Sequence, residues 1–130
     1  MYKRQSKPRS RFVIASDGMD LRELPYSEIW GDLKSWAATD KELKLITALE
    51  QAKNELSGKE KPFKDCEFKV SGDDESYMCD LYWPKSHVAY FSVDNEDCYN
   101  AAKDSDILCF FAGDEACTYD AVIKHLKEIK

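Results

Sequence analysis

Asp80 is the residue around which a reaction could be built. It lies in Tyr77-Met-Cys-Asp-Leu-Tyr-Trp83, a run that reads as a β-strand. A strand carboxylate can hold a divalent cation when other carboxylates converge on it. Asp94, after the next strand, and Glu67, on the preceding one, are the acids that could complete such a cation site, and Glu96 and Asp97 could enlarge the cluster. His87 and His125 have no acidic partner at ligand spacing, so surface or hydrogen-bonded roles are expected for both. Asp73, Asp74 and Glu75 lack the spacing of a calcium loop and read as a solvated hairpin tip. The five cysteines, Cys66, Cys79, Cys98, Cys109 and Cys117, form no C-x-x-C pair. Reduced, partly buried thiols are therefore expected, rather than a disulfide framework or a zinc knuckle. Strand alternation should put Cys79 on the face opposite Asp80, and a Cys/His nucleophile pair would need a proximity that no spacing supplies.

The elements that would position these groups follow from periodicity. Arg11-Phe-Val-Ile-Ala15 suits a short strand, closed by Ser16-Asp17-Gly18, that could belong to a preceding domain. Ile29, Leu33, Trp36 and Ala37 predict a helix over 27–38. Thr39 and Glu42 form a capping box ahead of Leu45, Ile46, Leu49, Ala52 and Leu56, which predicts a second helix of about five turns ending at Gly58. Its other face, Lys41, Lys44, Glu50, Lys53 and Glu55, is expected to be solvated. Cys66–Val70 and Tyr77–Trp83 alternate across a turn cluster and read as a hairpin. His87–Val93 is nearly all apolar, as in a strand buried on both faces at the centre of a sheet. Asp94 should cap a short helix over 95–103, Ile107–Phe111 should be a strand parallel to His87–Val93, and Asp114 should cap a last helix carrying Tyr119, Val122, Ile123, Leu126 and Ile129. The predicted fold is an α/β sandwich of order αβββαβα with a mixed four-stranded sheet.

Composition narrows the functional classes. A chain of 130 residues with 43% hydrophobic and 34% charged residues supports one domain. Residues 26–130 are expected to form it, and 1–25 to be a basic arm or the remnant of a preceding domain. Met1–Gln5 read either as a translated adapter tail or as part of that arm. Five of the 19 basic residues lie in residues 1–11, which hold no acid, so the rest carry 14 bases against 25 acids, a net of −11. Phosphate neutralisation supplies most non-specific nucleic-acid affinity, so a body this acidic is a poor independent binder of DNA or RNA. It could instead occupy a basic site on a partner protein. No apolar run is long enough to span a membrane and no secretory signal is apparent, so a cytoplasmic location is expected.

The element order, with Cys79-Asp-Leu-Tyr-Trp-Pro-Lys-Ser-His-Val-Ala-Tyr-Phe-Ser-Val93, resembles the restriction-endonuclease-like fold. Nucleases of that fold carry an Asp on the second strand and an acid-x-Lys on the third. Asp80 stands at the first position, whereas Val88-Ala-Tyr-Phe-Ser-Val93 has neither acid nor Lys, so the resemblance implies a degenerate PD-(D/E)XK copy with no catalytic residues and no metal, or, as the alternative, a metal-dependent nuclease in which Asp94 or Glu67 takes the missing position beside Asp80. The stretch from Cys66 to Phe111, with its Trp-Pro turn, is similar to the C-terminal domain of large bacterial DEAD/DEAH-box superfamily 2 helicases. That similarity implies a truncated fragment of a parent whose motor uses ATP and Mg²⁺ and meets nucleic acid on the domain's behalf. The chain has no G-x-x-x-x-G-K-[ST] loop, and Asp114-Glu-Ala-Cys117 reads as a helix cap rather than an ATPase acid motif, so no cofactor is expected here. Trp30, Trp36 and Trp83 read either as core or as an interface with such a motor, which would show as an apolar patch on the 27–38 side.

Overall fold

The computed structural model describes residues 11–15, 19–56, 61–72, 74–115 and 118–128. Among the described residues, six strands and five α-helices follow one another as β1 (Phe12–Ile14), β2 (Met19–Asp20), α1 (Tyr26–Trp36), α2 (Asp40–Gln51), α3 (Lys53–Leu56), β3 (Phe63–Val70), β4 (Tyr77–Trp83), β5 (Val88–Phe91), α4 (Glu96–Ala102), β6 (Leu108–Phe111) and α5 (Tyr119–Glu128). The sheet's main path has five strands in the order β1-β3-β4-β5-β6, and the two-residue β2 pairs with the other end of β3. Every pairing is antiparallel except β5 with β6, whose connection through α4 imposes the expected parallel crossover.

Two of these features depart from the four-stranded expectation. Phe12–Ile14 pairs with Val70–Phe68, and both Phe12 and Leu21 are buried, so residues read as an arm or another domain's remnant belong to this sheet and core. The strand over 88–91 is buried on both faces but lies second from the edge, and β4 takes the centre. Complete burial of a strand requires cover on both faces, which helices can give without its being central.

Helices cover both faces. On one, Leu81, Trp83, Val88 and Tyr90 pack with Ile29, Trp30 and Leu33 of α1, Leu45, Ile46 and Leu49 of α2, Leu56 of α3 and Val122, Ile123 and Leu126 of α5. On the other, Phe12, Cys66, Phe68, Val70, Cys79, Ala89 and Phe91 lie with Ala102 of α4 and Ile107. The long helix expected over 39–57 breaks at Ala52 into α2 and α3. Thr39 Oγ1 accepts from Glu42 N at 3.2 Å, while the Glu42 carboxylate reaches back to Ala38 N at 3.0 Å, a capping box displaced by one residue. The face of α2 expected to be solvated makes specific contacts. Lys41 Nζ donates to Ala112 O and Asp114 O, and Lys34 pairs with Glu50 at 2.8 Å. The last helix starts at Tyr119 rather than near Asp114, with Thr118 Oγ1 accepting from Ala121 N at 3.2 Å; Ala116, Cys117 and Ile129 lie outside the described residues.

The β3–β4 hairpin changes sides partway along. Cys66, Phe68 and Val70 share one core by ordinary alternation, yet Phe63, which is out of phase with them, belongs to the same core. On β4, Tyr77 and Cys79 face that core, Leu81 and Trp83 face the other, and Tyr82 is back on the first. Both changes fall at one level, Asp65 on β3 and Asp80 on β4, bracketed by the pairs Lys64↔Leu81 and Cys66↔Cys79. The register is the same on both sides, so this is not a bulge, which would add a residue to one strand. Asp65 absorbs the twist with a left-handed φ of 55°, a region that Asp tolerates better than most non-glycine residues.

Candidate functional site

Asp80 sits where the strands change sides, and its carboxylate is committed to local hydrogen bonds. Oδ2 accepts from the backbone N–H of Ser92 at 2.8 Å and from Asn95 Nδ2 at 3.1 Å. Asn95 Nδ2 also donates to Met78 O at 2.7 Å, and Met78 N–H points to Cys98 Sγ at 3.4 Å. Residues 78–80 of β4 are thereby fastened to the end of β5, to the 3-10 turn Val93–Asn95 and to the start of α4. The expected cap Asp94 does not serve α4: it is exposed in the turn, and Asn95 at the N-cap position turns its amide to Asp80 instead. Exposed Met78 and Val93 border this polar staple.

The acids proposed to join Asp80 do not assemble with it. Glu67 lies opposite Met78, further along β3, and Asp94 is exposed on its turn. Among the described residues no three His, Cys, Asp or Glu side chains are placed to hold a metal ion. The neighbour the sequence reading missed is Asp65, opposite Asp80. Burial holds its carboxyl above the ordinary carboxylate range, Lys64 acts against this, and the charge of Asp80 adds to it. The neighbouring strand β5 presents Val88, Ala89, Tyr90 and Phe91, all buried and none of them a carboxylate. These residues do not fit a catalytic Mg²⁺, whose oxygen ligands must converge on one point.

The contact of Cys79 with Cys66 and its burial push the thiol well above its usual value, and the Asp80 charge contributes a little more. His87 takes the hydrogen-bonded role expected of it, in the β4–β5 turn at φ 53°. Its Nε2 lies 3.4 Å from Asp106 Oδ1, which also accepts from Phe12 N–H at 2.9 Å. The Phe12 N–H bond, followed by His87, holds the Asp106 carboxyl below its ordinary range. No spacing pattern announces Asp106, because the chain brings its partners from 19 and 94 residues away.

The expected interface residues are corrected by burial. Trp30 and Trp83 are 3% and 0% exposed, because α1 turns Ile29, Trp30 and Leu33 onto the sheet. Half-buried Trp36 meets the edge of the Tyr90 ring at 6.0 Å. Exposed apolar side chains include Val13, Met78, Val93 and Leu108, and between α2 and α5 Leu43, Thr47, Ala48 and Tyr119, with Lys44 and Gln51, line an open groove of about 380 Å³. No described helix is long and apolar enough to cross a membrane. Comparison with protein-family models, curated proteins and solved structures gives no match.

Proposed function

We propose that this chain is a non-catalytic interaction domain on a degenerate restriction-endonuclease-like scaffold, accessory to a DEAD/DEAH-box helicase motor that contacts nucleic acid on its behalf. One observation carries the reading. Asp80, the only one of the three nuclease positions that is kept, spends its carboxylate on Ser92 N–H and Asn95, and the facing strand β5 offers no second acid. The strand path β3-β4-β5-β6, closed by a parallel crossover, agrees with the order that the resemblance implies. The net of −11 over residues 12–130 leaves phosphate binding to a partner. In place of Trp30 and Trp83, the apolar contact surface is the α2–α5 groove, with Leu43 and Tyr119 at its rim.

The test has two arms. Plasmid incubated with the purified chain and Mg²⁺ or Mn²⁺ should remain intact; cleavage that disappears in Asp80→Asn would overturn the non-catalytic reading. In-frame genomic sequence upstream of Ser6 should encode motor motifs. The motor expressed from that sequence should co-purify with the chain, and Leu43→Asp with Tyr119→Asp should abolish the association. A complete gene without a motor would overturn the accessory assignment.

A further inference from the structure

Cys66 and Cys79 occupy directly opposed positions on the antiparallel β3–β4 pair. Opposed residues in such a ladder have Cα atoms about 4.5–5.5 Å apart, inside the roughly 4.4–6.8 Å span that a disulfide bridges. Both side chains turn into the same core and both are fully buried. Cys79 Sγ lies 3.5 Å from Cys66 O, which places the second sulfur over the first residue's backbone. Register, facing and proximity thus coincide.

We propose that Cys66 and Cys79 form a site of reversible oxidation, closing a cross-strand disulfide when the chain meets a peroxide. In the balanced step, two thiols and one hydrogen peroxide give one S–S bond and two waters. Both S–H bonds and the peroxide O–O bond break, the two cysteine sulfurs lose two electrons in all, and peroxide oxygen gains them. A dithiol reductant reverses the reaction by exchange. Each cysteine is next in sequence to an aspartate at the level where the strands change sides, so the bond would pin that level covalently. Burial keeps both sulfurs from the bulk, so closure proceeds from transient openings of the hairpin and should be slow.

The proposal is independent of the helicase reading and is tested on the full chain carrying Cys98→Ser, Cys109→Ser and Cys117→Ser, which leaves only this pair. The protein is treated with hydrogen peroxide, freed of reagent, unfolded and titrated with a thiol reagent. Two reactive thiols before treatment should fall to none, and intact mass should drop by two hydrogens. Peptide mapping without reductant should join the segments holding Cys66 and Cys79, and dithiothreitol should restore both thiols. The oxidised chain should unfold several degrees higher, since the bond closes a loop between residues 13 apart in sequence. Persistence of two thiols would overturn the proposal, as would oxygen addition without a cross-link or a link between two chains. If the triple variant does not fold, mapping of the oxidised parent decides instead: a 66–79 link supports the proposal, and scrambled links or none refute it.

Discussion

On one face of the sheet, Leu81, Trp83, Val88 and Tyr90 meet largely aliphatic side chains from four helices; on the other, Phe12, Phe68 and Phe91 lie near a single helix, α4, of seven residues. The thinly covered face compensates in two ways. Rings pack on rings, with Phe12 stacked on Phe68 at 4.4 Å and Tyr99 on Phe111 at 4.7 Å, each such pair adding about 0.5–1.5 kcal/mol beyond its buried area. Side-chain oxygens fasten distant backbone, through Asp80 to Ser92 and Asp106 to Phe12. The comparison teaches that one Asp can hold its place in a mixed sheet for reasons of architecture, once a helix as short as α4 must be held down.

Substitutions on the two faces should therefore differ in size and kind. The largest effect is expected from Trp83→Ala, which opens a cavity under the four-helix face and should cost about 3–5 kcal/mol in urea unfolding. A loss under 1 kcal/mol would mean that this face is not the better packed. Next comes Asp80→Ala, which removes the acceptor of the Ser92 N–H and leaves the Asn95 amide only its bond to Met78 O, and should cost about 1–3 kcal/mol; Asp80→Asn, which keeps an acceptor oxygen, should lose less. Equal losses for the two variants would show that the hydrogen bonds carry no weight.

Two smaller effects have opposite signs with pH. Asp106 has its folded pKa lowered, so its contribution is present above the unfolded value of about 3.9 and is lost as pH falls through the folded value. The advantage of the parent over Asp106→Asn in urea midpoint should accordingly shrink from pH 7 to strong acid. Asp65 has its folded pKa raised, so its ionisation opposes folding above that pKa and the penalty vanishes below the unfolded value. Asp65→Asn should raise the midpoint slightly at pH 7, where Asn also suits the left-handed backbone, and the part due to ionisation should be gone near pH 3. An unchanged difference between the two pH values would assign that gain to backbone conformation alone.

Much of the helix and hairpin pattern was legible because it rests on local signals. Thr39 and Glu42 marked the start of α2, the alternation from Cys66 to Val70 marked β3, and the helix between two apolar strands dictated a parallel β5–β6 pair. What escaped depended on contacts between distant residues. Three residues, Phe12–Ile14, give too little periodicity to reveal that their partner is Val70–Phe68. The tryptophans looked like interface because bulk and burial are indistinguishable without knowing which way α1 faces. Asp80 was singled out as a possible metal-site acid, but its partners Ser92 and Asn95 carry no motif, and the left-handed φ of Asp65 has no signature in an otherwise ordinary strand.

The shared reversal of sides at Asp65 and Asp80 has a consequence for folding fidelity. In an evenly alternating ladder, sliding one strand by two positions keeps every apolar group on its proper side, so such errors are cheap. Here the same slide would oppose the two turning points to ordinary residues and tip part of Phe63, Tyr82, Leu81 or Trp83 into the wrong layer. The hairpin is keyed like a notched rail, with a single alignment in which both notches meet.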